Sequence, residues 1–171
     1  MNNEKTSKKG FTLIELMIVL AIIVILAVVL VPKAGQMKDS AGNAGVTTNV
    51  NAVRGTLEAK VVDITYLGNR ASTLALLTST FNGTLANPFN VKNNNVYQPN
   101  AAVNTNGTGF SIVVWDNASI SVANFDADLA TYAPVGGSVN KGIVFVYVYS
   151  DGYGVFGVDS TNTVVDKATI K

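Results

Sequence analysis

Three patterns of apolar and polar positions divide the chain. From Phe11 to Val31 the sequence FTLIELMIVLAIIVILAVVLV carries a single charge, Glu15, and a single hydroxyl, Thr12. Roughly 20 such residues wound as a helix cover the ~30 Å hydrocarbon core of a bilayer, so residues 11–31 predict a membrane-spanning helix. Lys5, Lys8 and Lys9 precede the run. Cationic flanks of this kind stay on the cytoplasmic side, which sends the chain beyond Val31 outward. The second pattern begins after Pro32. Val46, Val50, Val53, Leu57 and Val61 recur at helical spacing, with Asn49, Asn51, Arg54, Glu58 and Lys60 on the other sides. The helix is therefore predicted to continue to about Val62, on the order of 75 Å in all, with its second half packed on a globular head. Gly35, Gly42, Gly45 and Gly55 are dense for a helix interior, where each costs up to about 1 kcal/mol relative to Ala. Pro32 removes a backbone donor as well, so Pro32 to Gly35 reads as a weak zone.

The third pattern covers residues 63–171, rich in Asn, Thr, Gly and Ser. Ala71 to Phe81 predicts a short helix. Asn82-Gly83, Asn87-Pro88, Asn93 to Asn95 and Asn106-Gly107 mark turns. β-Branched and aromatic enrichment predicts strands at Phe110 to Trp115, Ser119 to Phe125, Ile143 to Tyr149, Tyr153 to Val158 and Thr163 to Ile170, with a hairpin through Ser150-Asp151-Gly152. The expected fold is α+β: a long N-terminal helix packed by its second half on an antiparallel sheet of about four strands.

Composition narrows the chemistry. The 171 residues include 48% hydrophobic but only 13% charged ones, and neither His nor Cys. The commonest general base, thiol nucleophiles, His/Cys metal sites and disulfides are thereby excluded. A glycosidase-type carboxylate pair needs a cleft that a sheet of this size seldom provides. No enzymatic activity and no cofactor are expected. Residues 63–171 carry five cationic and seven acidic side chains, a balance that disfavours nucleic-acid binding, which scales with cationic contacts.

Glu15 is out of place in a simple membrane anchor, because a carboxylate in hydrocarbon costs a few kcal/mol and normally has a partner. Lys8-Lys9-Gly10-Phe11-Thr12-Leu13-Ile14-Glu15 and the apolar run behind it resemble the class III signal of type IV pilins and the related pseudopilins. The short leader and Phe11 resemble the type IVa branch. The resemblance implies a leader, residues 1–10, cut by a prepilin peptidase between Gly10 and Phe11, with N-methylation of Phe11. It implies a membrane-held precursor whose helix 11–62 later packs in the core of a helical filament of like subunits, with an inner-membrane platform protein and an assembly ATPase as partners. Glu15 of an incoming subunit would pair with the Phe11 amine of a neighbour, a buried pair that fixes register more than it stabilises. Pro32 stands where many members carry a helix-kinking proline, and the Pro32 to Gly35 zone is expected to unwind on filament entry. The family's usual C-terminal disulfide is absent, so hydrogen-bonded strands such as the final one must hold that edge. The head, 63–171, would form the fibre surface, for adhesion, surface motility or biofilm formation. Two other readings are a pseudopilin of type II secretion or DNA uptake, and a monomeric membrane-anchored binding protein.

Loop aspartates Asp126, Asp128, Asp151 and Asp159 are the residues from which a calcium site could be built. Their spacing is not that of an EF-hand loop, and loop aspartates usually cap turns, so no metal is expected. Phe145, Tyr147, Tyr149, Tyr153 and Phe156 read as half core and half subunit interface. Asn82-Gly-Thr84, Asn106-Gly-Thr108 and Asn117-Ala-Ser119 fit the N-glycosylation pattern, which is usually idle in systems with this signal.

Overall fold

A computed structural model describes residues 10–62, 68–90, 94–97, 110–131 and 140–171, so the leader ahead of Gly10 and the Asn106-Gly107 turn lie outside the described residues. The chain forms two units, residues 1–38 and 39–171. Helix α1 spans Leu13–Glu58 and passes through Pro32. It stops at Glu58 instead of the expected Val62 because the ladder tightens there. The Ala59 N–H still bonds the Gly55 carbonyl at 3.2 Å, but the Lys60 N–H takes the nearer Leu57 carbonyl at 2.9 Å, which closes the last turn.

In the first unit the apolar side chains of α1 stand exposed, Leu13 at 77% and Val31 at 72%. In the second unit the predicted stripe is the core: Val46, Val50, Val53 and Leu57 are at most 1% exposed. Two of the helix glycines are explained by close approach. A Cβ at Gly42 would fall 2.3 Å from Phe89 Cε1, and one at Gly45 would fall 2.8 Å from Pro88 Cγ, so both seat the loop around residues 87–90. Buried Asn87 holds that loop, accepting from the Phe89 N–H at 2.9 Å and donating to the Lys141 carbonyl at 2.7 Å. A Cβ at Gly35 or Gly55 would meet nothing. Helix α2, Arg70–Phe81, matches the short helix expected; the Asn69 side chain caps it by accepting from the Ser72 N–H at 3.0 Å.

The sheet has five strands in the order β1 (Asn95–Tyr97), β2 (Phe110–Asn117), β3 (Val144–Tyr149), β4 (Gly152–Val158) and β5 (Val164–Ile170). The α+β class and the helix-on-sheet packing stand as expected, while the antiparallel count of about four strands is corrected to a mixed sheet of five. β1 pairs with β2, and β2 with β3, in parallel; β3, β4 and β5 are antiparallel. Parallel neighbours need a long crossover, and the segment between β2 and β3 supplies one. It contains a 3₁₀ turn, Val122–Asn124, and helix α3, Phe125–Thr131.

That turn and helix replace the strand expected at Ser119 to Phe125. Alternation of Ile120 and Val122 mimics a strand, but local bonds to the backbone prevail. The Ala123 N–H bonds Ser121 Oγ at 3.3 Å, and the Val122 N–H bonds Asp151 Oδ1 at 2.7 Å. Both edges of β3 are already occupied by β2 and β4, so this segment cannot pair with β3.

β3 is buried along its whole length and so is apolar on both faces. Val144, Val146 and Val148 join the α1 stripe, Leu77, Phe81, Ile112, Val114, Tyr153 and Val155 in one core. Phe145, Tyr147 and Tyr149 point the other way, where Phe156, Val113 and Val158 meet Val122 and Phe125. Phe145 and Phe156 stack with centroids 5.1 Å apart, and Phe125 meets Tyr147 edge-on at 6.3 Å. Tyr147, the most exposed of the five aromatics expected to be shared between core and interface, is only 9% exposed. In the free subunit the whole set is core.

Candidate processing and assembly site

The start of α1 is built by two residues. Thr12 precedes the first helical residue, and its carbonyl accepts the first helical bond, from the Leu16 N–H at 3.3 Å. Thr12 Oγ1 accepts from the Glu15 N–H at 3.3 Å, while the Glu15 carboxylate accepts from the Thr12 N–H at 2.9 Å and from the Thr12 hydroxyl at 2.8 Å. This is a reciprocal capping box, in which Thr at the cap and Glu three residues later satisfy each other's backbone donors. Both Thr12 donors converge on Oε2 of Glu15. The acid that looked unpartnered in the sequence therefore has a partner within its own chain. Thr-x-x-Glu ahead of an apolar run is a readable signal, and it marks Thr12, which the sequence reading passed over as a lone hydroxyl.

The Gly10–Phe11 bond expected to be cut lies ahead of the helix, in non-helical backbone. Phe11 is 89% exposed, and nothing lies within 4 Å of where a Gly10 side chain would begin. α1 is long and apolar enough to cross a membrane, with a mean hydropathy of 3.4 over its most apolar 18 residues. Pro32 sits inside the helix at the end of the apolar run.

The aspartates are placed apart, each in its own set of bonds. Asp126 pairs with Lys167 at 2.8 Å on the surface. Asp128 Oδ2 accepts from Asn117 Nδ2 at 2.8 Å and from the Tyr149 hydroxyl at 2.7 Å. Asp151 accepts from the Val122 N–H and from the Ser121 hydroxyl, both at 2.7 Å; these bonds, the amide first, hold its carboxyl below the usual range. Asp159 caps the turn into β5, accepting from the Thr161 and Thr163 N–H groups at 2.8 and 2.9 Å. Partial burial pushes its carboxyl up, but these bonds outweigh that and hold it below the usual range. Among the described residues no three His, Cys, Asp or Glu side chains come together. Two of the glycosylation-pattern amides are engaged as well: Asn82 Oδ1 accepts from the Val96 N–H at 3.2 Å, and Asn117 Nδ2 is the donor to Asp128. The third, Asn106, lies outside the described residues.

α1 is thus capped at its start, exposed along its apolar run and buried along the stripe from Val46 to Leu57. Residues 5–31 match the family model of the prokaryotic N-terminal methylation motif. Over 69 residues the chain is 42% identical to the type IV wide pilus major component PilA4 of Thermus thermophilus, a match that covers 40% of this chain and 53% of the relative. The chain thus spans about half the length of the curated relative it matches. No solved structure matches the chain. The motif and the relative together support a type IV pilin.

Proposed function

We propose that this chain is a structural pilin subunit, processed between Gly10 and Phe11 and polymerised through α1 into an extracellular type IV pilus. The observation that carries the reading is the division of labour along one helix. From residue 11 to 31 its apolar side chains are exposed, while Val46, Val50, Val53 and Leu57 are buried in the core with the sheet. An apolar surface of that size is stable only in a bilayer or against copies of itself. The precursor occupies the first environment and the filament the second; copies related by a repeated, non-closing contact build a fibre. Glu15 is accommodated in both. In the precursor its Oε2 is held by Thr12, and in the filament Oε1 is turned to the methylated Phe11 amine of the neighbouring subunit. The prepilin peptidase, a membrane platform protein and an assembly ATPase are the partners such a subunit requires.

N-terminal sequencing and mass analysis of the protein extracted from cells test the reading. The expected product begins at a methylated Phe11; a mature chain that retains Met1 would overturn it. Shearing cells and imaging the released material then separates a long pilus from a short pseudopilus. Glu15→Ala is expected to leave cleavage intact and to reduce fibre yield at least tenfold. Normal fibres from that variant would remove the pairing from the mechanism.

A further inference from the structure

The C-terminal strand forms one edge of the sheet. β5 has one neighbour, β4, and of its side chains only Ile170 is fully buried. Its ladder is also interrupted. Val155 pairs with Ala168 and Gly157 with Val165, which leaves Asp166 and Lys167 together opposite Phe156. At this bulge Asp166 adopts φ 53°, in the left-handed region where glycine is favoured and a side chain is strained. A carboxylate at such a position is worth explaining.

Asp166 Oδ2 accepts a 2.5 Å hydrogen bond from Thr47 Oγ1 of α1, across 119 residues of sequence. The other acceptor near that hydroxyl, the Asn43 carbonyl of the same helix, lies at 3.4 Å, so the charged oxygen is the closer partner. One turn earlier on α1, Asn43 Oδ1 accepts from the Ser160 N–H at 2.9 Å, in the turn that leads into β5. Residues four apart lie on the same side of a helix, so Asn43 and Thr47 form one polar flank beside the buried Val46 and Val50. That flank meets β5 and the turn before it at two points. The remaining charged contact of the strand, Lys167 with Asp126, is exposed on both sides and contributes little.

We propose that Thr47 and Asp166, supported by Asn43 and the Ser160 amide, form a latch that makes the seating of the C-terminal strand depend on the position of α1. While the helix lies in place, β5 is held across its own bulge. When the helix moves, the strand is released and the edge of β4 is bared, a surface open to pairing with another strand. The latch concerns the conformation of the head, goes beyond the subunit reading and does not depend on it.

Hydrogen exchange read by mass spectrometry on the full chain in detergent micelles tests the proposal, with β3 amides as the internal reference. Asp166→Gly makes the two possible causes oppose each other, since it relieves the backbone strain and removes the latch. The expected result is a roughly tenfold or greater loss of protection in β5, with β3 unchanged. Thr47→Val is expected to give the same loss, and the double variant no more than either single one. Thr47→Ser and Asp166→Asn, which keep the donor and an acceptor, should stay within about threefold of the parent. Unchanged or increased β5 protection in Asp166→Gly would overturn the latch. So would additive effects of the two substitutions, or an equal loss in β3 and β5, which would make the contact part of the general stability of the head.

Discussion

The distance between α1 and the sheet is set by a missing side chain, and restoring it should separate the two. Gly157 of β4 faces the helix: a Cβ there would stand 2.4 Å from Val46 Cγ1 and 2.9 Å from Val50 Cγ2. Carbon atoms in contact need about 3.5–4.0 Å, so the overlap with Val46 exceeds about 1 Å. Both valines are buried, and a valine in a helix is held close to one χ1 rotamer, so the side chains cannot turn away. Relief requires α1 to back off along the stripe. Overpacking of this kind costs about 1–3 kcal/mol, while Ala regains roughly 0.5–1 kcal/mol over Gly in a strand. The net expectation for Gly157→Ala is a loss of about 1–2 kcal/mol. Gly55→Ala is the matched control on α1. Its Cβ meets nothing, so only helix propensity acts, and a gain of up to about 1 kcal/mol is expected. Equilibrium denaturation of the full chain in micelles, followed by the fluorescence of Trp115, the sole tryptophan, measures both. Adding Val46→Ala to Gly157→Ala opens the space the methyl needs, so the double variant should be at least about 1 kcal/mol more stable than the sum of the single effects. If Gly157→Ala is as stable as the parent, or if the pair is additive, the close approach does not set the helix–sheet distance.

Asn69→Ala removes the α2 cap and should cost about 1 kcal/mol in the same assay; a change below about 0.3 kcal/mol would mean that the Ser72 amide is satisfied without it. At low pH the lowered carboxyls of Asp151 and Asp159 matter. A depressed folded-state pKa gives stability that is present above the unfolded value, about pH 4, and is lost as pH falls through the folded one. Acid titration of Asp151→Asn should therefore show a lower head stability at neutral pH and a weaker decline below pH 4 than the parent. At high pH the sign reverses. Burial, with Asp128 nearby, pushes the Tyr147 phenol up to about 12, which favours its neutral form. Its contribution is full below about pH 10 and is lost as pH rises through 12. Tyr147→Phe should flatten that alkaline loss, as read by near-ultraviolet circular dichroism.

Much of this protein is decided by period alone. The apolar run, the stripe from Val46 to Leu57, helix α2 and the β3–β4 hairpin are local patterns, because a helix or a two-residue turn is specified by neighbours in sequence. The Thr12 cap of α1 is written in the Thr-x-x-Glu spacing for the same reason. Pairing between distant segments is another matter. Ile120 and Val122 alternate as strand residues do, yet Asp151, 29 positions beyond Val122, captures the Val122 amide and bends the segment into a 3₁₀ turn. The parallel union of β2 with β3 follows from the crossover between them, which no alternation within either strand encodes. The same holds for the glycines. The helical pattern marks Gly42, Gly45 and Gly55 as equally weak points, and only the packed structure shows that Gly42 and Gly45 admit a neighbour while Gly55 faces open space. Asp166 is the sharpest case. In sequence it is one polar residue of a predicted strand, and its role depends on a left-handed backbone and on the Thr47 hydroxyl of α1, both fixed only when strand and helix meet. Sequence determined the helices, the hairpin and an apolar run long enough to cross a membrane, through interactions a few residues long. Tertiary structure decided which atoms those elements bring within hydrogen-bonding and van der Waals distance, because that depends on closing loops of up to 119 residues.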